Sequence, residues 1–148
     1  LRLSEALFLL TFVPGIMGMG GNVGTQTLTI TVRGLATGRI GRGEGNVRRF
    51  LWRQFKVGVL LGVTCALVVA GAAVVLQRNP LYAVVVGGAM MIALTLASLN
   101  GALVPLLFEK LGIDPAIASG PLVTTSNDIT GILIYFSLAL VMIDALIR

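Results

Sequence analysis

The chain contains no histidine and a single cysteine, Cys65. Those two shortages exclude an imidazole or thiolate cluster of the kind zinc and copper prefer, and one cysteine cannot form an intrachain disulfide. Cys65 lies among Val, Ala and Leu and reads as a small buried thiol. Charge is scarce as well. Only 11% of the 148 residues are charged, against roughly 25% in soluble domains, which excludes a chain built to face water on every side. A secretory signal is also missing: the sequence opens on Leu1 with no basic n-region, apolar h-region and cleavage site ahead of its first apolar run. That opening is read as belonging to a fragment whose upstream portion is absent.

What is present is apolar. Hydrophobic residues make up 56% of the chain and the mean hydropathy is +0.97. Four segments run without charge over membrane-crossing length, or nearly so: Ala6–Val32, Val57–Leu76, Leu81–Phe108 and Pro115–Ile143. A helix needs about 20 apolar residues to cross the hydrocarbon. The expectation is an all-α, polytopic membrane helical bundle forming one domain over residues 1–148, with transmembrane helices near 4–38, 45–76, 80–111 and 115–147. Pro80 and Pro115 stand at helix starts, and Asn100, Gly101 and Pro105 predict a kink late in the third helix.

The net charge of +5 sits mostly in one place. Arg33, Arg39, Arg42, Arg48, Arg49, Arg53 and Lys56 fall between the first and second apolar segments. By the positive-inside rule the loop at 39–47 is cytoplasmic, and a basic loop against an anionic leaflet needs no nucleic-acid partner. The Arg78 loop then lies outside and the 109–114 loop inside.

Two segments carry polar stripes. Pro14–Gly24 holds five glycines, with Gly20 and Gly24 spaced for close helix contact. Beyond them Asn22, Thr25, Gln26, Thr29 and Arg33 recur at steps of three and four along one helix face. In the fourth segment Gly120, Thr124, Asp128, Gly131 and Tyr135 share a face, with Asn127 beside it. The second segment is apolar all round and reads as lipid-facing. Asn100 reads as a helix–helix hydrogen-bonding residue.

Asp128 is the one acid in a membrane-length run, a placement that is costly and marks ion or proton paths. No Lys or Arg lies at comparable depth, so a salt bridge has no partner, and a proton relay wants several titratable groups. A protonated Asp128 bonding a neighbour is the structural alternative. The groups nearby are all oxygens, which suit hard cations such as Mg²⁺, Ca²⁺ and Mn²⁺. One carboxylate per chain further implies a homodimer, in which a two-fold axis brings two Asp128 groups together. Mg²⁺ dehydrates reluctantly and would be held through its waters.

The stretches GMGGNVGTQTLTITVRGLATG and PAIASGPLVTTSNDITGILIYF, about a hundred residues apart and in this order, resemble the membrane domain of the MgtE magnesium channels and their solute-carrier relatives. The resemblance implies a homodimer with five spans per subunit, of which this chain holds spans two to five. It also implies a central pore lined by the second and fifth spans. Asp128 is then the acid that holds hydrated Mg²⁺, with the carbonyls of Gly120 and Thr124 facing the ion's waters. Gly120 stands where well-known members carry a polar side chain. Asn22, Thr25 and Thr29 line the pore, together with Asn127 and Gly131. A cytoplasmic Mg²⁺-sensing region, typical of the family, has no counterpart in these residues. The implied function is Mg²⁺ transport in the plasma (inner) membrane, with Mn²⁺, Co²⁺ or Ca²⁺ as other candidate ions. The alternatives are a carrier exchanging Mg²⁺ for Na⁺ or H⁺, and a structural membrane subunit that transports nothing. None of these readings is an enzyme.

Overall fold

The computed structural model describes residues 3–40, 44–118 and 120–141, with the side chains of 3–6, 44–45 and 77 left aside. Every regular element among them is helical: α1 (Leu3–Leu10), α2 (Val13–Ala36), α3 (Glu44–Gln77), α4 (Pro80–Lys110), a 3₁₀ turn at Pro115–Ile117 and α5 (Gly120–Val141). Three stretches, Leu7–Ala36, Asn46–Leu76 and Pro80–Lys110, are long and apolar enough to cross a membrane. The last helix is shorter, 22 residues, and its first half carries the polar run TTSND. The expected continuation of this helix to residue 147 lies outside the described residues.

Two expected helices begin differently, and proline accounts for both. The helix drawn through residues 4–38 breaks at Thr11–Phe12. Pro14 has no N–H to offer the Leu10 carbonyl and its ring crowds that carbonyl, so α2 starts afresh with Pro14 in its first turn. The neighbouring Phe8 and Leu9 carbonyls accept from the Thr11 and Phe12 N–H groups at 3.1 and 3.2 Å, and each takes a side-chain donor as well. Thr11 Oγ1 donates to the Phe8 carbonyl at 2.6 Å, and the Tyr135 hydroxyl, from α5, donates to the Leu9 carbonyl at 2.7 Å. Irregular backbone at membrane depth survives only with such replacements.

The fourth helix likewise does not start at Pro115. Asp114 caps a short 3₁₀ turn by accepting from the Ala116 N–H at 2.9 Å, and Ala118 then leaves helical geometry at ψ 75°. Pro121 would have no N–H for the Ile117 carbonyl in a continuous helix, so it sits in the first turn of α5 instead. The other two ends fall within a residue of expectation: α3 runs from Glu44 to Gln77 and α4 from Pro80 to Lys110. Pro105 lies buried inside α4.

The centre of the bundle is α4. It packs against α2, α3 and α5, whereas α2 and α3 pack on α4 rather than on one another. Its residues Val85, Val86, Ala89, Met90 and Leu94 are almost wholly buried. Lipid is as apolar as these side chains, so close backbone approach, more than exclusion of water, holds such helices together. Glycine provides it. A Cβ at Gly62 of α3 would lie 2.7 Å from the Met91 carbonyl oxygen, and one at Gly58 would lie 3.0 Å from the Thr95 Cα. The rest of α3 is open: Leu60, Leu67, Val68 and Val75 are each at least two-thirds exposed.

Candidate functional site

Where α2, α4 and α5 cross, the small residues of α2 let polar side chains in. Asn127 of α5 is buried beside Gly24, and a Cβ at Gly24 would fall on its amide nitrogen. That nitrogen donates to the Gly20 carbonyl at 3.3 Å. Its oxygen accepts from Asn100 Nδ2 of α4 at 2.8 Å, and the same Asn100 nitrogen donates to Ser126 Oγ at 3.0 Å. Asn100 is therefore the interhelical residue expected of it. Within the protomer, Asn127 is committed to this three-helix network, and Gly131 is buried against Ile16, whose Cγ2 lies 3.5 Å from where a Cβ would sit. One step along a helix turns a side chain by about 100°, which is enough to put Asn127 inside the bundle while Asp128 faces another way.

A second buried polar chain was not anticipated. Ser98 Oγ of α4 donates to the Gln54 carbonyl of α3 at 3.1 Å, and Thr27 Oγ1 of α2 is 3.4 Å from Ser98 Oγ. A hydroxyl has one proton, and that of Ser98 is spent on Gln54, so Thr27 is the donor in the pair. Thr27 and Ser98 are uncharged and carry no spacing signal, which left them unremarked in the sequence.

Asp128, Thr124 and Gly120 do come together with α2. Asp128 is half-buried on α5, and its Oδ1 lies 3.9 Å from the position a Gly21 Cβ would take; Thr124 Cγ2 lies 3.3 Å from the same point. Gly120 faces Thr25, whose Cγ2 is 3.8 Å from the Gly120 Cβ position. Among the described residues no hydrogen bond or ion pair engages the Asp128 carboxylate, and no cluster of three acidic, histidine or cysteine side chains exists. Asn22 and Thr29 are exposed on the same side of α2 as half-buried Thr25.

The threonines share one arrangement. Thr25 Oγ1 donates to the Gly21 carbonyl at 2.8 Å, Thr29 Oγ1 to the Thr25 carbonyl at 2.9 Å, and Thr124 Oγ1 to the Gly120 carbonyl at 2.9 Å. Each proton is thus committed to its own helix, and what remains on each hydroxyl is acceptor capacity. The Gly120 carbonyl, already accepting from Thr124, has less to offer than the Thr124 oxygen itself. Together with a carboxylate these groups form a surface of acceptors. First-shell waters on a cation point their protons outward, so such a surface suits a hydrated cation and repels an anion.

Residues 13–138 match the sequence profile of the MgtE family, described as a divalent cation transporter. The chain belongs to this family. It is 36% identical over 144 residues to the magnesium transporter MgtE of Bacillus subtilis, covering 97% of this chain and 32% of that protein. The MgtE magnesium transporter of Enterococcus faecalis is 41% identical over 136 residues, covering 92% of this chain and 30% of its own length. That of Thermus thermophilus is 40% identical over 142 residues, or 95% and 31% of the two chains. The chain thus spans about a third of the length of these curated relatives. The family is one of transporters, not enzymes, and with its long apolar helices the MgtE-family chain is an integral membrane protein.

Proposed function

We propose that this chain forms the membrane pore of a Mg²⁺ transporter, with two copies related by a two-fold axis and Asp128 of each facing the path. Hydrated Mg²⁺ is the cargo, held through its waters by Asp128 and Thr124, with the Gly120 carbonyl beside them and Asn22, Thr25 and Thr29 lining the approach along α2. The observation that carries this reading is the Asp128 carboxylate, which has no partner among the described residues yet sits beside Gly21 and near threonine oxygens whose protons are committed to their own helices. Two such carboxylates balance one divalent charge, and the names of the relatives supply the ion. Uptake of Mg²⁺ into proteoliposomes loaded with a Mg²⁺-sensitive dye tests it. Protein-dependent uptake is expected, and its absence would overturn the proposal. A conducting pore should also give resolvable single-channel currents, which an exchanging carrier cannot.

The same reading places the protein in the plasma membrane with the loop at 39–47 in the cytoplasm, because the arginines there obey the positive-inside rule. In a Cys65→Ala background, Asn46→Cys should react with an impermeant thiol reagent only from the cytoplasmic side and Arg78→Cys only from outside. Labelling of both from one side would contradict the four-span reading, since α3 separates them.

A further inference from the structure

At the α2–α3 end of the bundle lies a cavity of about 540 Å³ lined by four arginines, Arg33 from the last turn of α2, Arg39 from the turn after it, and Arg49 and Arg53 from α3. Among the described side chains no carboxylate lines it. Like charges gathered around one space repel, and an anion seated among them removes that cost and gains charge-assisted, two-pronged hydrogen bonds. A second space of about 360 Å³ shares Ile30, Phe50 and Arg53 with the first and continues past Val57 and Leu61 of α3. It exists because α2 and α3 both lean on α4 and leave a trough between them.

The depth of this site is marked by Trp52, 60% exposed and stacked on Phe55 at 5.2 Å between ring centres. Exposed Trp beside Arg and Lys belongs at the membrane–water interface. A cationic cavity at headgroup level that continues into a trough, where Ile30, Phe50, Val57 and Leu61 stand beside Gln26, Thr27 and Gln54, matches a molecule with an anionic head and a hydrocarbon tail laid along the apolar side chains. A free phosphate would use the first half and leave the second bare.

We propose that the Arg33–Arg39–Arg49–Arg53 cavity and the adjoining α2–α3 trough bind an anionic phospholipid, the headgroup phosphate among the arginines and an acyl chain along Val57 and Leu61. Basic pockets between membrane helices are known hosts for such headgroups. The site is separate from Asp128 and stands whether or not the pore reading does, since it needs only that α3 crosses the bilayer.

Trp52 is the only tryptophan and lines neither space, so in a Trp52→Phe, Phe50→Trp variant the sole tryptophan moves into the lining that both spaces share, and its fluorescence reports on them. The protein is placed in phosphatidylcholine bilayers containing equal small fractions of either phosphatidylglycerol or phosphatidylcholine brominated near the glycerol end of the chains. Brominated phosphatidylglycerol should quench the tryptophan at position 50 more strongly. A basic group near an anionic lipid contributes about fivefold in affinity, so Arg49→Gln with Arg53→Gln should lower the preference by about 25-fold. Arg48→Gln with Lys56→Gln removes the same charge from residues that do not line the cavity, and should keep most of it. Equal quenching by both lipids with all four arginines in place would overturn the proposal, as would equal losses in the two double variants, which would mean diffuse surface charge. Loss of the preference on adding millimolar inorganic phosphate at constant ionic strength would show that a soluble phosphate is the ligand instead.

Discussion

Asp128→Asn should lower Mg²⁺ uptake into proteoliposomes by more than about tenfold at Mg²⁺ concentrations that do not saturate the unaltered protein. The substitution keeps the shape of the side chain and removes a unit of charge from each copy. At an effective dielectric near 20, one pair of unit charges about 4 Å apart is worth roughly 4 kcal/mol, and every 1.4 kcal/mol is about a factor of ten in binding. Even with most of that screened by the ion's waters, a tenfold loss is a modest expectation. Folding should survive, because among the described residues no hydrogen bond or ion pair depends on the carboxylate. The ion-free protein should be as stable as before, or more so, since two facing carboxylates no longer repel.

A thermal measurement separates binding from structure. A ligand that binds only the folded state stabilises it in proportion to RT ln(1 + [L]/Kd), so added Mg²⁺ should raise the melting temperature of the unaltered protein and leave that of Asp128→Asn nearly unmoved. Asp114→Asn is the control. Asp114 is exposed and only accepts from the Ala116 N–H, which an amide oxygen does equally well. Normal uptake by Asp128→Asn would make the carboxylate structural and remove the site.

How much of this was legible beforehand differs from residue to residue. The expected helices at 45–76 and 80–111 agree with α3 and α4 to within a residue, although the charge-free run Val57–Leu76 covers only the later part of α3, whose first turns carry Arg48, Arg49, Arg53 and Lys56. The missed boundaries were at Pro14 and Pro121, where an apolar run continues through a residue that cannot continue the backbone hydrogen bonding. Hydropathy does not register a missing N–H. At the proposed site, the shared face of Asp128 and Thr124 was legible from helical spacing, and their roles toward an ion came from the family resemblance. The hydrogen bonds of Asn127 were not legible, because an amide next to a carboxylate looks equally polar in sequence, while its partners Gly20 and Asn100 are 107 and 27 residues away. The arginines between α2 and α3 were legible as a topological signal, and their convergence on one cavity was not, since it depends on the gap between two helices that meet only through a third.

The second large effect concerns that crossing. Gly101→Ala should destabilise the protein by roughly 1–3 kcal/mol, the range typical of overpacked sites, and lower its melting temperature by several degrees. Alanine favours a helix over glycine by about 1 kcal/mol, so intrinsic preference alone argues for the opposite sign. Packing decides it. A Cβ at Gly101 would collide with the Gly24 carbonyl oxygen and come within 3.1 Å of the Leu28 nitrogen. Both belong to the backbone of α2, so no side chain can rotate away and the helix itself must move. Moving α2 from α4 loosens the Asn127 amide from the Gly20 carbonyl, and it shifts Gly21 and Thr25 relative to Asp128. Uptake should therefore fall along with stability. Gly88 lies on the same helix with nothing within 4 Å of its Cβ position, and Gly88→Ala should be neutral or mildly stabilising with normal uptake. If the two alanine variants unfold at the same temperature, the close contact of α2 and α4 at Gly24 and Gly101 is not what fixes α2 against the Asp128 face.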